Sequence, residues 1–128
     1  MSIDNNLESC NKHHKINYIE IPALNLEATK DFFSKVFEWR FTDYGPQYCS
    51  IDNASIDGGF YLTDKVATVE NGSVLIVLYS DNLQQSMDKI LEHRGLITKD
   101  IFSFPGGSRF HFHDVNGNEF AVWKHDEH

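Results

Sequence analysis

Three side chains that can bind anions or exchange protons alternate along residues 108–113, whose sequence is SRFHFH. Side chains of a β-strand point alternately to its two faces, so Arg109, His111 and His113 would share one face. An arginine can bind a carboxylate or phosphate, and a histidine can transfer protons near neutral pH or coordinate a metal. The spacing therefore predicts a strand with one chemically active face and one phenylalanine face.

The elements around this strand follow a pattern that occurs twice in the chain. In residues 16–64 and again in residues 73–124, one strand precedes an amphipathic helix and three further strands. Superposing the two halves places Asn25 on Asn82, where the helices begin. This repeat predicts an α+β domain of two tandem βαβββ modules, whose curled mixed sheet encloses a cleft.

Capping residues predict where the two helices begin and end. Asn25 is the predicted N-cap of a helix over residues 26–37. For the second helix we predict Asp81 as the N-cap, with Gln84 completing a capping box and Gly95 as the terminating C′ glycine.

The composition of the 128-residue chain is that of one packed domain, because 41% of its residues are hydrophobic. We expect the domain to span residues 16–124, between a flexible polar arm (1–15) and a tail (125–128). A net charge of −8 without a basic run disfavours nucleic acid as a partner. No segment is apolar and long enough to cross a membrane, and the two cysteines lack a CxxC spacing, so a reduced cytoplasm is the expected compartment.

Several segments together resemble the vicinal oxygen chelate superfamily, which contains glyoxalase I, the bleomycin-resistance proteins and the extradiol dioxygenases. They are IEIPALNLEATKDFFSKVFEW (19–39), YSDNLQQSMDKILEHRG (79–95), PGGSRF (105–110) and HDVNGNEFAVW (113–123). The resemblance implies the glyoxalase/bleomycin-resistance fold and a ligand cleft between modules. It also implies a homodimer, in which modules are sometimes exchanged between chains.

The resemblance further implies a divalent metal held by His, Glu or Gln side chains, two from each module. The matching positions here are Tyr18, Leu75, Ala121 and either Phe60 or Tyr61. Leu, Ala and Phe have no donor atom, and Tyr is an infrequent ligand. We therefore expect no cofactor at the usual metal position.

The resemblance also indicates which side chains face the cleft. It is expected to be a mostly apolar small-molecule site with a few polar groups. Within it, His111 is expected to hydrogen bond to Glu20 or to a backbone carbonyl. Arg109 is expected either to bind an anionic ligand or to pair with Glu20 or Asp114, whereas Glu119 is expected to be a solvated or a cavity-rim charge. The full inward-facing set is Tyr18, Glu20, Leu75, Val77, Tyr79, Arg109, His111, His113, Ala121 and Trp123.

Three functions are compatible with these residues. The first is binding of a small molecule without the usual metal. The second is a glyoxalase-type lyase or isomerase, similar to lactoylglutathione lyase. It would use Zn²⁺, Ni²⁺ or Mn²⁺ relocated to His111, His113 and Glu20, or else proton transfer between Glu20 and His111. The third is sequestration of a cationic aromatic drug, as in the bleomycin-resistance branch.

Overall fold

The computed structural model describes residues 12–127, which form two modules of four strands and one helix each. Residues 1–11 and 128 of the predicted arm and tail lie outside the described residues. The first module consists of β1 (Tyr18–Ala23), α1 (Leu26–Phe37), β2 (Phe41–Asp43), β3 (Tyr48–Ile51) and β4 (Asp57–Leu62). The second consists of β5 (Ile76–Tyr79), α2 (Leu83–Glu92), β6 (Leu96–Phe104), β7 (Gly107–His113) and β8 (Glu119–His125). The predicted α+β class and the tandem βαβββ modules are confirmed.

Each module forms its own four-stranded mixed sheet. The strand orders are β1-β4-β3-β2 and β5-β8-β7-β6, so the second sheet repeats the topology of the first. In each sheet the first and last strands of the module pair in parallel, and the remaining neighbours are antiparallel. The two sheets therefore meet through packing of side chains and loops.

Both helices begin at asparagine. The side-chain oxygen of Asn25 accepts a hydrogen bond from Ala28 N at 2.9 Å, and that of Asn82 accepts one from Gln85 N at 3.0 Å. The prediction of Asp81 as the second N-cap was wrong, because Asn82 is the residue with the extended backbone that a cap requires (φ −149°). The predicted capping box is also wrong, since Gln84 donates to Asp88 on the helix surface.

The predicted end of the second helix was wrong by one residue. Arg94 adopts the left-handed conformation at C′ (φ 79°), and Gly95 follows it with its N–H bonded to Ile90 O at 2.8 Å. A Cβ on Gly95 would lie 2.4 Å from Cγ2 of Ile90. Close packing against the helix, and not a positive φ, is therefore the reason for glycine at this position.

A cluster of aromatic rings joins the two modules on the sides of the sheets that the helices cover. Phe33 of α1 is fully buried, with its ring centroid 5.3 Å from that of Phe60 in β4 and 5.3 Å from that of Phe120 in β8. Phe112 of β7 stacks on Phe120 at 5.4 Å. The helix-covered faces of the sheets thus share one core. We call the opposite side of each sheet its open face.

The turn between β7 and β8 is a second junction between the modules. Asn116 Oδ1 accepts a hydrogen bond from Leu24 N at 2.8 Å, and Asn118 Nδ2 donates one to Pro22 O at 2.7 Å. The Asp114 carboxylate accepts bonds from the backbone N–H groups of both asparagines at 2.9 Å. These residues do more than form a turn, because they bind the β1–α1 connection of the other module.

Candidate functional site

The open face of the second sheet carries the alternating polar residues of β7. In the strand register, His111 lies beside Ala121, which in turn lies beside Val77. Arg109 lies beside Trp123 of β8 in the same way. The register therefore places these five side chains on one face, opposite the phenylalanine core.

The histidine at the centre of this face is bonded to a carboxylate. His111 is 4% exposed, and its Nδ1 lies 3.0 Å from Oε2 of Glu119. Glu119 Oε1 accepts a second hydrogen bond from Val69 N at 3.0 Å. The hydrogen bond from His111 lowers the pKa of Glu119, although partial burial opposes this effect. The expectation of Glu20 or a backbone carbonyl as the partner of His111 was wrong, as was the expectation that Glu119 is only a solvated or cavity-rim charge.

This bond determines the tautomer of His111 in its neutral form. An ionised carboxylate only accepts hydrogen bonds, so Nδ1 carries the proton and Nε2 has a free lone pair. Nε2 is buried and has no hydrogen-bond partner among the described residues. His111 is thus an oriented proton acceptor.

The arginine on the same face stacks on aromatic rings, and it forms no ion pair with the residues that the structure describes. The Arg109 guanidinium carbon lies 5.4 Å from the ring centroid of Phe102 and 5.7 Å from that of Phe104. Its Nε is buried without a partner among the described residues. The expected ion pairs with Glu20 or Asp114 were wrong, because Asp114 is engaged by Asn116 and Asn118.

An aromatic row extends this open face beyond Arg109. Trp123 makes an edge contact with Tyr79 at 5.3 Å, and Phe104 lies 6.1 Å from Trp123. Val77 and Tyr79 are each 43% exposed, so the row presents apolar surface to solvent. Of the other expected cleft residues, His113 is half-buried at the end of β7 and Leu75 is half-buried just before β5.

A hydrogen-bonded group of three side chains occupies the open face of the first sheet. The hydroxyls of Tyr18 and Tyr48 are hydrogen bonded, and Tyr48 Oη donates to Glu20 Oε2 at 3.2 Å. Desolvation, together with the bond to Tyr18, raises the pKa of Tyr48. Tyr48 was not among the residues predicted for the site, although its alternation with Ser50 in β3 places both on this face.

An open cavity of about 470 Å³ adjoins this group. Tyr18, Tyr44 and Tyr48 line it together with Asp52 and Asp57. Hydrogen bonds from Thr42 and Ser50 lower the pKa of Asp52, which keeps that carboxylate ionised. The cavity on the first sheet is therefore aromatic and acidic.

The structure corrects one of the four metal-ligand positions that the resemblance implies. Val77 pairs with Ala121, and the matching pair in the first module is Glu20 with Gly59. The fourth position is therefore Gly59, so the predictions of Phe60 and Tyr61 were both wrong. Phe60 belongs to the buried core, and Tyr61 pairs with Pro22, two positions further along β1 than Glu20. A Cβ on Gly59 would lie 2.1 Å from Tyr48 Oη, so the tyrosine occupies the space that a ligand side chain would need.

These residues do not fit a divalent metal. Of Tyr18, Gly59, Leu75 and Ala121, only the tyrosine has a donor atom, whereas a catalytic zinc site needs about three protein ligands. Within residues 12–127, no three His, Cys, Asp or Glu side chains are grouped to hold a metal. The relocated set of His111, His113 and Glu20 is thus not assembled within the described part of one chain.

The proposed acid–base pair is also separated. Glu20 lies on the first sheet and is bonded to Tyr48, whereas His111 lies on the second sheet and is bonded to Glu119. The two open faces thus carry different chemistry, acidic and phenolic on the first sheet, cationic and imidazole-containing on the second.

The chain belongs to the Glyoxalase/Bleomycin resistance protein/Dioxygenase superfamily, whose family model matches residues 15–122. It is 26% identical over 121 residues to a glyoxylase-like domain-containing protein of Didymella fabae, covering 86% of this chain and 93% of that protein.

Solved structures share the fold at low sequence identity. A glyoxalase-related enzyme from Fulvimarina pelagi matches with a TM-score of 0.72 at 16% identity, covering 87% of this chain and 88% of that one. A lactoylglutathione lyase from Agrobacterium tumefaciens matches with a TM-score of 0.66 at 12% identity, covering 87% and 93%. Separately, none of the helices described here has the length and hydropathy needed to cross a membrane.

The bond between Glu119 and His111 predicts a pH-dependent contribution to stability. The folded-state pKa of Glu119 lies below its ordinary value of about 4.3, so its contribution is present above that pH and is lost as pH falls through the folded-state pKa. Glu119→Gln should lower the free energy of unfolding by about 1–2 kcal/mol at pH 7, and by less below about pH 4. Urea unfolding at several pH values measures the difference in unfolding free energy between the wild-type chain and Glu119→Gln. The exposed Glu70→Gln variant is the control. A difference that stays constant with pH would contradict the assignment.

Proposed function

We propose that this protein binds a small organic molecule against its open sheet faces, without the usual divalent metal of the superfamily. The observation that carries the proposal is the lack of donor atoms at Gly59, Leu75 and Ala121, which leaves Tyr18 as the single donor of the four positions, with Tyr48 filling the space beside Gly59. The same faces retain aromatic surface and polar groups that suit an organic ligand.

The binding cleft in this proposal is completed by a second copy of the chain. Within residues 12–127 the modules pack through the helix-covered faces, which leaves both open faces without a facing sheet in that part of the chain. The first open face carries the carboxylates Glu20 and Asp57. The second carries Arg109 and Lys99 against the single carboxylate Glu119, so the charges of these residues are opposite on the two faces. A homodimer that apposes them would enclose two equivalent clefts. We place it in the reduced cytoplasm, consistent with the free, buried Cys49.

The test uses Trp123 as a reporter in a Trp39→Phe variant, since the chain has two tryptophans. Titration with a panel of anionic, neutral and cationic aromatic compounds should give saturable quenching with at least one of them, in the presence of EDTA. Light scattering should give twice the 14.7 kDa chain mass. A monomer that quenches with none of the compounds would contradict the proposal.

Sequestration of a cationic aromatic compound is a second candidate, favoured by the cavity on the first sheet. Tyr44 and Tyr48 offer ring faces to a cation, and Asp52 and Asp57 supply negative charge. Tight quenching by cationic members of the panel alone, weakened by Asp57→Asn, would favour it.

A lyase or isomerase is the third candidate, favoured by the orientation of His111. The base in this case is His111 supported by Glu119, rather than His111 with Glu20. Turnover of a bound compound that is insensitive to EDTA and lost in His111→Gln would establish it.

A further inference from the structure

Two neighbouring residues on the open face of the second sheet bury polar atoms that have no partner. Arg109 Nε and His111 Nε2 are the two side-chain atoms in this state among the described residues. A buried polar atom left unpaired costs about 1–3 kcal/mol, and native proteins keep few of them. Two adjacent examples on one face therefore indicate that something else bonds to them.

The two atoms have opposite hydrogen-bonding character. Arg109 Nε donates and its guanidinium carries a permanent positive charge. His111 Nε2 accepts, because Glu119 holds the proton on Nδ1. Same-face neighbours on a strand lie about 6–7 Å apart, which is the span of a small organic molecule. A ligand that satisfies both atoms must carry negative charge at one end and a hydroxyl donor at the other.

The strand that pairs with β7 beside these residues is irregular at their positions. The pairing of β6 with β7 shifts register between Ile97 and Lys99 and again between Lys99 and Phe102. These shifts lie opposite His111 and Arg109, which pair with Lys99 and Phe102. Bulges bend a strand and are common beside ligand sites, since they direct side chains away from regular pairing.

Aromatic rings form the walls of this position. The Phe102 ring centroid lies 6.0 Å from that of His111, and the Arg109 guanidinium lies over Phe102 and Phe104. Trp123 lies beside Phe104. Aromatic rings stack on planar groups, so these walls favour a planar ligand.

We propose that Arg109 and His111 form the recognition pair for a planar hydroxycarboxylate, beside the bulged part of β6. The carboxylate bonds to the Arg109 guanidinium and the ligand hydroxyl donates to His111 Nε2. This inference rests on the proposed small-molecule function and specifies its ligand class.

The test measures dissociation constants by calorimetry on the full chain with 4-hydroxybenzoate as the probe, a planar hydroxycarboxylate whose two polar groups lie at opposite ends of the ring. Benzoate lacks the hydroxyl and 4-hydroxybenzyl alcohol lacks the charge, so each should bind roughly tenfold more weakly than 4-hydroxybenzoate. Arg109→Gln should weaken 4-hydroxybenzoate binding roughly tenfold. His111→Gln should remove the preference for 4-hydroxybenzoate over benzoate. His93→Gln, at the end of α2, should leave the dissociation constants of both compounds unchanged.

A second measurement does not depend on the variants folding. Long-range ¹H–¹⁵N spectra of the wild-type chain should show, for the neutral form of His111, that Nδ1 is protonated and Nε2 is unprotonated, and the Nε2 signal should shift on addition of 4-hydroxybenzoate. The proposal is overturned if the protein binds benzoate or the neutral alcohol as tightly as 4-hydroxybenzoate, if Nε2 carries the proton in that neutral form, or if 4-hydroxybenzoate leaves both residues unaffected. Binding of other panel compounds in that case would leave the proposed function standing, whereas no binding by any compound would overturn both.

Discussion

Replacing Phe33 with alanine should lower the free energy of unfolding by about 3–5 kcal/mol, the range for truncating a buried phenylalanine. Its ring is fully buried, and it contacts Phe60 of the first module, Phe120 of the second and Trp39, which stacks on it at 4.7 Å. The cavity left by alanine would lie between the modules, where neither sheet can close it without moving.

Urea unfolding followed by circular dichroism measures this effect. Leu91→Ala is the matched control, because Leu91 is 54% exposed on α2 and should cost less than about 1 kcal/mol. One cooperative transition is expected in all three proteins, since the modules share one core. A loss of unfolding free energy below about 1.5 kcal/mol for Phe33→Ala would contradict the role of this ring as a main contact between the modules.

Replacing Asn118 with alanine should cost about 2–4 kcal/mol, since several buried bonds are lost together. Asn118 is 1% exposed, accepts from Ala67 N at 2.8 Å, and donates to Pro22 O at 2.7 Å. Its second acceptor is the Asp114 carboxylate, at 3.3 Å. Burial raises the pKa of Asp114, whereas its hydrogen bonds lower that pKa. The buried carboxylate therefore needs all of its hydrogen-bond donors, and Asn118 is one of them.

Thermal and urea unfolding measure the cost of Asn118→Ala. Asn71→Ala serves as the control, because Asn71 is exposed and its side chain makes no hydrogen bond in the described part of the chain. The control should change stability by no more than about 0.5 kcal/mol. Equal stability of the two variants would contradict the assignment of Asn118 as a junction between the modules.

The fold was predictable because its signals are local and occur twice. Alternation along β1 and β7, helical periodicity in α1, and the recurrence of Asn25 as Asn82 all follow from the order of residues along the chain. The errors at the helix ends were displacements by one residue. Asp81 and Asn82 are both good caps, and only the backbone angles decide between them.

The partners within the site were less predictable, because they depend on register between strands. Alternation places His111 on the open face, but the β7–β8 register brings Glu119 within 3.0 Å of it instead of Glu20. Gly59 was missed for the same reason. It is the first-module equivalent of Ala121, and this equivalence can be seen only when the pairing of β1 with β4 is known. Tyr48 was not identified because its role is to fill the space above that glycine.

The measurement that most directly tests the account is the divalent metal content and affinity of the full chain, purified without nickel resin. Elemental analysis and calorimetric titration with Zn²⁺, Ni²⁺ and Mn²⁺ should show no stoichiometric ion in the cleft. Any weak uptake should disappear when the histidines near the two ends (His13, His14, His125 and His128) are changed to glutamine. About one tightly bound ion per chain that survives those changes, and is lost in Tyr18→Phe or His111→Gln, would contradict the account.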